Sequence, residues 1–204
     1  PRSYLATFGT VEPFRQLWDA EAQRWHLADV PDLVAVCDGA PWTWNTVREF
    51  CPGHTVEILD FYHATEHLWS LAHAIWGEGS SRAERWVEDQ KTRLLEGRLA
   101  AFFRTLRHWD RDGPWQDEAQ SQLAYFTTHR ERIRYREYRA CGYPIASGVI
   151  EAACKTVLCT REKQPGMRWR TPTAEAIGHL RAVHQSRRWP ALRRRLIAHS
   201  TQAA

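Results

Sequence analysis

An α/β fold with a long helical addition is what this sequence predicts, and three observations carry it. Two short, largely β-branched runs, residues 33–37 (LVAVC) and 55–59 (TVEIL), each lead directly into an Asp, Asp38 and Asp60. The stretch between them opens on Pro41 and reads as a helix, so the pair forms a strand–helix–strand unit with short connections. Beyond Asp60, residues 62 to about 139 carry helical spacing with few strand signals.

In chain order, residues 4–8 read as a short strand closed by Gly9. Residues 11 to about 28 follow as a helix, because Phe14, Leu17, Trp18, Ala22 and Trp25 recur on one face. Pro31-Asp32 breaks that helix, and residues 33–37 make the strongest strand of the chain. Pro41 has its fixed φ and missing N–H at a first-turn position, and the helix it opens runs through Phe50. Pro52-Gly53 stops it before the strand at 55–59. The helical region beyond is interrupted at 77–81 (GEGSS) and 110–114 (DRDGP). Residues 141–144 (CGYP) form a turn. Ser147 caps a helix with Glu151 in its first turn and Lys155 one turn later. Gln164-Pro-Gly166 stops that helix, and residues 173–188 and 191–199 form two closing helices split by Pro190. Three segments are expected: an α/β part at 1–61, a helical insertion at 62–146 and a closing helical segment at 147–204.

The 204 residues are enough to bury a core, and no window holds the apolar run of a membrane span. The chain opens on Pro1-Arg2, with neither an initiator Met nor an apolar leader, which leads us to expect that its natural N-terminus is missing. The five cysteines (37, 51, 141, 154 and 159) are odd in number and lack CxxC spacing. With Cys37 in a strand and Cys154 in a helix they read as buried free thiols, and the cytoplasm is the expected compartment. Net charge is +4, but residues 151–204 hold eleven Lys/Arg against three Glu, a balance of +8, leaving −4 for the first 150. A basic tail on an acidic body suits either a polyanionic partner or a solvated helix face.

Several side chains admit a chemical and an ordinary reading. A strand that delivers Asp38 at its carboxyl end is how α/β folds present a metal ligand, although Asp before Gly is also a common turn pair. Glu151 is a candidate metal ligand or simply a carboxylate at a helix N-terminus. Lys155 could pair with it at i, i+4 or touch a DNA phosphate. Arg161, Lys163, Arg168 and Trp169 combine cations with an aromatic ring, as backbone contact and base stacking require. Trp18, Trp25, Trp42 and Trp44 read as core.

Four motifs, Asp38-Gly-Ala-Pro-Trp-x-Trp, Leu59-Asp-Phe-Tyr-His-Ala-x-Glu-His-Leu68, Ser147-Gly-Val-Ile-Glu-Ala-Ala-Cys-Lys155 and Arg161-x-Lys-x-x-Gly-Met-Arg-Trp169, together resemble bacterial insertion-sequence transposases of the Kra-type branch. These belong to the DDE superfamily, with an RNase H-like catalytic core. The resemblance spans roughly residues 4–189 and implies DNA strand cleavage and joining by in-line displacement at phosphorus. It implies two Mg²⁺ (or Mn²⁺) ions roughly 3.5–4 Å apart, held by three carboxylates. It also implies DNA as partner, a homo-oligomer on DNA, no membrane association, and a cytoplasmic, nucleoid-associated location.

Strand order under this resemblance makes Asp38 the second catalytic Asp and Glu151 the catalytic Glu. The first Asp is then expected upstream of Pro1, so the chain would be a C-terminal portion with a partial RNase H-like core. Only 22 residues separate Asp38 from Asp60, too few for them to be the first and second Asp, so Asp60 is a less certain ligand near the site. A chain with two of three carboxylates could instead be an inactive remnant that binds DNA or a partner. A third reading rests on His63-Ala-Thr-Glu66-His67, a literal H-x-x-E-H that on a helix could hold Zn²⁺ with Glu66 as base.

Overall fold

A computed structural model describes residues 2–111, 113–160 and 168–202, without the side chains at 149–151 and 199–202. The chain divides into two compact units, residues 30–147 and residues 1–29 with 148–204. The boundary at 147/148 falls beside the sequence-derived one at 146/147. The helices expected as a separate insertion, however, share a unit with the strands that precede them.

The unit at 30–147 is built on β1 (Val34–Cys37) and β2 (Val56–Leu59), which pair in parallel with Val34 opposite Val56 and Cys37 opposite Leu59. Helix α2 (Pro41–Phe50) connects them with the bounds the sequence predicts, burying Trp44, Thr46 and Val47. Helix α3 (Phe61–Trp76) leaves β2 at once. It buries Phe61, Ala64, Leu68, Leu71 and Ala72, the i, i+3, i+4 stripe of a helix that covers a core. Each fully buried Leu contributes about 1.5–3 kcal/mol of transfer free energy.

Around α3 lie α4 (Ser81–Leu95), α5 (Leu99–Trp109), α6 (Gln116–Thr128) and the short α7 (Tyr135–Ala140). Val87, Leu94, Phe102, Leu106, Phe126, Ile133 and Tyr135 complete the core with β2. The sequence reading ran straight through two of the breaks here. One falls at Gly97, whose φ of +72° ends a helix cheaply only for glycine. The other falls at 129–134, where a 3₁₀ turn (Arg130–Arg132) intervenes. No helix among the described residues is long and apolar enough to cross a membrane.

The other unit contains α1 (Val11–Arg24), α8 (Gly148–Ala153), a π-helical turn (Cys154–Cys159), α9 (Thr171–Gln185) and α10 (Trp189–Gln202). The strand expected at 4–8 is absent from the structure. No strand among the described residues offers it a ladder, and the Tyr4 N–H instead donates to Ser186 Oγ at 2.9 Å. Helix α1 ends earlier than expected, because His26 turns the chain at φ +50° before a 3₁₀ turn at Leu27–Asp29. Pro190 opens α10 rather than dividing two helices. The division lies at 186–188, where Arg187 has φ +56°. The Arg188 guanidinium donates to both oxygens of Glu21 and to Ser3 Oγ, tying the start of this unit to its end. The fold is thus α/β in a limited sense, mostly helical around a two-stranded parallel sheet.

Candidate functional site

The parallel ladder ends with Cys37 opposite Leu59, so the next residue on each strand, Asp38 and Asp60, adjoins the other at the carboxyl edge of the sheet. The Asp60 N–H donates to the Cys37 carbonyl at 2.8 Å, closing that edge. The two carboxylates have different fates.

Asp38 is exposed. Its Oδ1 accepts from the Ala40 N–H at 3.1 Å, an Asx turn, and Oδ2 has no partner among the described residues. The chain then turns through Gly39 at φ +93°, a conformation L side chains rarely adopt. Behind the turn stands Tyr125 of α6, whose hydroxyl donates to the Asp38 carbonyl at 3.2 Å. Burial, reinforced by the negative charges of Asp38, Asp60 and Glu66, pushes the Tyr125 phenol well above its ordinary pKa, so it stays a donor.

Asp60 is only 3% exposed and both of its oxygens are engaged. Oδ1 caps α3 by accepting from the Tyr62 and His63 N–H groups at 2.7 and 3.2 Å, and Oδ2 accepts from the Ser147 N–H at 2.7 Å. A carboxylate that accepts three backbone N–H groups acts as a helix cap and a clamp on the 141–147 segment. As a metal ligand it would have to share those lone pairs.

His63, Glu66 and His67 occupy the first two turns of α3. His63 Nδ1 meets Glu66 Oε2 at 3.1 Å, and His67 Nδ1 meets Gln122 Oε1 at 2.6 Å. The His67 ring stacks on Tyr125 at 3.6 Å between centroids. Burial lowers the His67 pKa, outweighing its bond to Gln122. One turn beyond Tyr125, His129 is buried and also held below its ordinary pKa, by burial and by the Arg132 cation. Arg132 itself donates from Nε and Nη2 to Glu57 Oε2 at 2.6 and 2.5 Å and lies over the Trp44 ring at 4.4 Å. These residues, on α6 and just beyond its end, escaped the sequence reading. Their signal was the spacing Gln122, Tyr125, His129, which sets polar side chains on one face, but nothing local tied that face to Asp38.

Glu151 lies on α8 and Lys155 in the π-helical turn, both in the other unit; the Glu151 side chain is outside the described atoms. Arg161 and Lys163 lie outside the described residues. Lys155 and Arg168 are exposed, whereas Trp169 is half-buried, its indole N–H buried with no partner among the described residues. Trp44 is core as expected, but Trp25 and Trp42 are 36% and 39% exposed.

Of the described cations after residue 151, Arg181 donates to the Val157 and Thr156 carbonyls and Arg188 pairs with Glu21. Lys155, Arg168, Arg170, Arg187, Arg193, Arg194 and Arg195 are exposed and form no ion pair with a described residue.

No three His, Cys, Asp or Glu side chains among the described residues come together to hold a metal ion. Asp38 offers a hard cation one oxygen ligand, since its Oδ2 has no partner among the described residues. Compared with known proteins, the chain matches no family model, no curated protein and no solved structure.

Proposed function

We propose that this chain contributes to a DNA transposase of the DDE type with an RNase H-like core, in which Asp38 is a metal-bearing carboxylate and Glu151 a second one. The observation that carries the reading is Asp38 itself. It is an exposed carboxylate whose Oδ2 has no partner among the described residues, at the carboxyl edge of a parallel strand, on a turn held by Gly39 and Tyr125. Mg²⁺ bound there would supply Lewis-acid activation of the attacking and leaving phosphate oxygens. Asp60 contributes by shaping the edge through its cap. A further carboxylate is needed to complete the triad that the resemblance implies.

The seven exposed cations that form no ion pair with a described residue support DNA as the partner, because no described carboxylate neutralises them. If about five of them neutralise phosphates, binding falls with a log–log salt slope of roughly −4 to −5, a loss of about 10²–10³ between 50 and 200 mM salt. A second reading is a DNA-binding module without chemistry, which the same exposed cations would serve.

One experiment separates the two. Labelled duplex is incubated with the chain in Mg²⁺ and in EDTA, alongside Asp38→Asn and Glu151→Gln, while binding is followed across salt. Nicking that needs Mg²⁺ and is lost in both variants assigns catalysis to Asp38 and Glu151 and overturns the need for a further carboxylate. Salt-dependent binding with no nicking supports a chain that binds DNA without a complete catalytic site. Binding insensitive to salt refutes both.

A further inference from the structure

We propose that His63 and His67 form a two-imidazole site for a borderline transition-metal cation such as Zn²⁺, independent of any Mg²⁺ chemistry at Asp38.

The argument starts from which nitrogens are already committed. The Gln122 amide faces Glu118 Oε1 at 2.7 Å, and a carboxylate only accepts, so Gln122 presents its NH₂ to Glu118 and its carbonyl oxygen to His67. His67 Nδ1 must then carry the proton. The same logic fixes His63, whose Nδ1 faces the Glu66 carboxylate. With one proton on each ring, the lone pair therefore resides on Nε2, and neither Nε2 has a hydrogen-bond partner among the described residues. Donation of Nδ1–H to a carboxylate or a carbonyl oxygen is the arrangement that orients metal-binding imidazoles and raises their basicity.

The spacing agrees. Two imidazoles holding one ion at 2.0–2.1 Å with a near-tetrahedral angle place their ring centroids roughly 5 Å apart. The centroids of His63 and His67 are 5.0 Å apart, with planes at 82°.

The site differs from the peptidase reading of H-x-x-E-H. Glu66 is engaged by His63, and no third protein ligand joins the pair among the described residues. Solvent would complete the coordination, so binding is weaker than at a structural zinc site. Softness selects the metal: imidazole nitrogen favours zinc, nickel or copper over magnesium. Because His67 stacks on Tyr125, and Tyr125 holds the Asp38 carbonyl, an occupied site would also stiffen the turn that carries Asp38.

The test is calorimetric titration of the metal-free chain with Zn²⁺ and, separately, Mg²⁺. A Cys141→Ser, Cys154→Ser background removes the exposed thiols. We expect one Zn²⁺ bound, no Mg²⁺ competing for it, and loss of binding in His63→Ala and His67→Ala. His63 lies at the surface, so its variant remains informative even if His67→Ala fails to fold. The decisive variants leave both imidazoles in place: Glu66→Ala and Gln122→Ala should each weaken Zn²⁺ binding about 10–100-fold. No bound Zn²⁺, equal affinity in His63→Ala, or affinity unchanged in both Glu66→Ala and Gln122→Ala overturns the proposal. The readout involves no DNA, so it stands or falls apart from the transposase reading.

Discussion

Replacing Gly39 by Ala tests how the structure holds Asp38. At φ +93° a residue with a Cβ costs about 1–3 kcal/mol in backbone strain. The new Cβ would lie 2.5 Å from the Tyr125 hydroxyl oxygen, 3.0 Å from Leu59 Cδ1 and 3.2 Å from Tyr125 Cε2. The tyrosine must therefore swing away and give up its bond to the Asp38 carbonyl, worth about 0.5–1.5 kcal/mol. We expect a total loss of about 2–4 kcal/mol in the unit at 30–147. Hydrogen exchange at the β1–β2 ladder amides, measured across urea, confines the measurement to that unit. Tyr125→Phe alone should cost about 1 kcal/mol. The double variant should be milder than the sum of the two, because the same hydrogen bond is lost in each single variant. A Gly39→Ala chain within about 0.5 kcal/mol of wild type, or strict additivity with Tyr125→Phe, would refute the reasoning.

Three further outcomes follow from the same kind of accounting. Burial raises the Glu21 carboxyl, but hydrogen bonds from Arg188, Ser3 and Trp25 outweigh it and hold the pKa at about 2, against 4.5 for a free group. A depressed folded-state pKa means the stabilisation is complete above pH 4.5 and is lost as pH falls toward 2. Discounted for solvent screening, that is about 1–2 kcal/mol, and Glu21→Gln should flatten the acid limb of a stability–pH curve. Burial pushes the Cys37 thiol up to about 12, whereas Cys141 and Cys154 are exposed. At pH 8 a thiol reagent should label the latter two in the native chain and reach Cys37 only on unfolding. The Tyr135 hydroxyl is buried without a partner among the described residues, so Tyr135→Phe should leave stability unchanged or raise it by about 1 kcal/mol in chemical denaturation.

Local chemistry determined a good deal by itself. Short apolar, β-branched runs that lead into Asp38 and Asp60, separated by a Pro-led helix, predicted β1, α2 and β2 almost to the residue, because strand propensity and proline geometry act over a few residues. Helical spacing beyond Asp60 likewise predicted a helix there, which the structure shows as α3. Where the outcome hung on a distant partner, the sequence was silent or misleading. Residues 4–8 look like a strand but have no strand among the described residues beside them, and their backbone bonds to Ser186 instead. Asp38 and Asp60 look alike in sequence, yet the Ser147 N–H, brought back from 87 residues away, helps turn Asp60 into a buried clamp while Asp38 stays open. His67 gains its fixed tautomer from Gln122, 55 residues on, and the Asp38 turn gains its brace from Tyr125. A hydrogen bond across such separations depends on the path of the whole chain, which tertiary packing sets and local propensity does not.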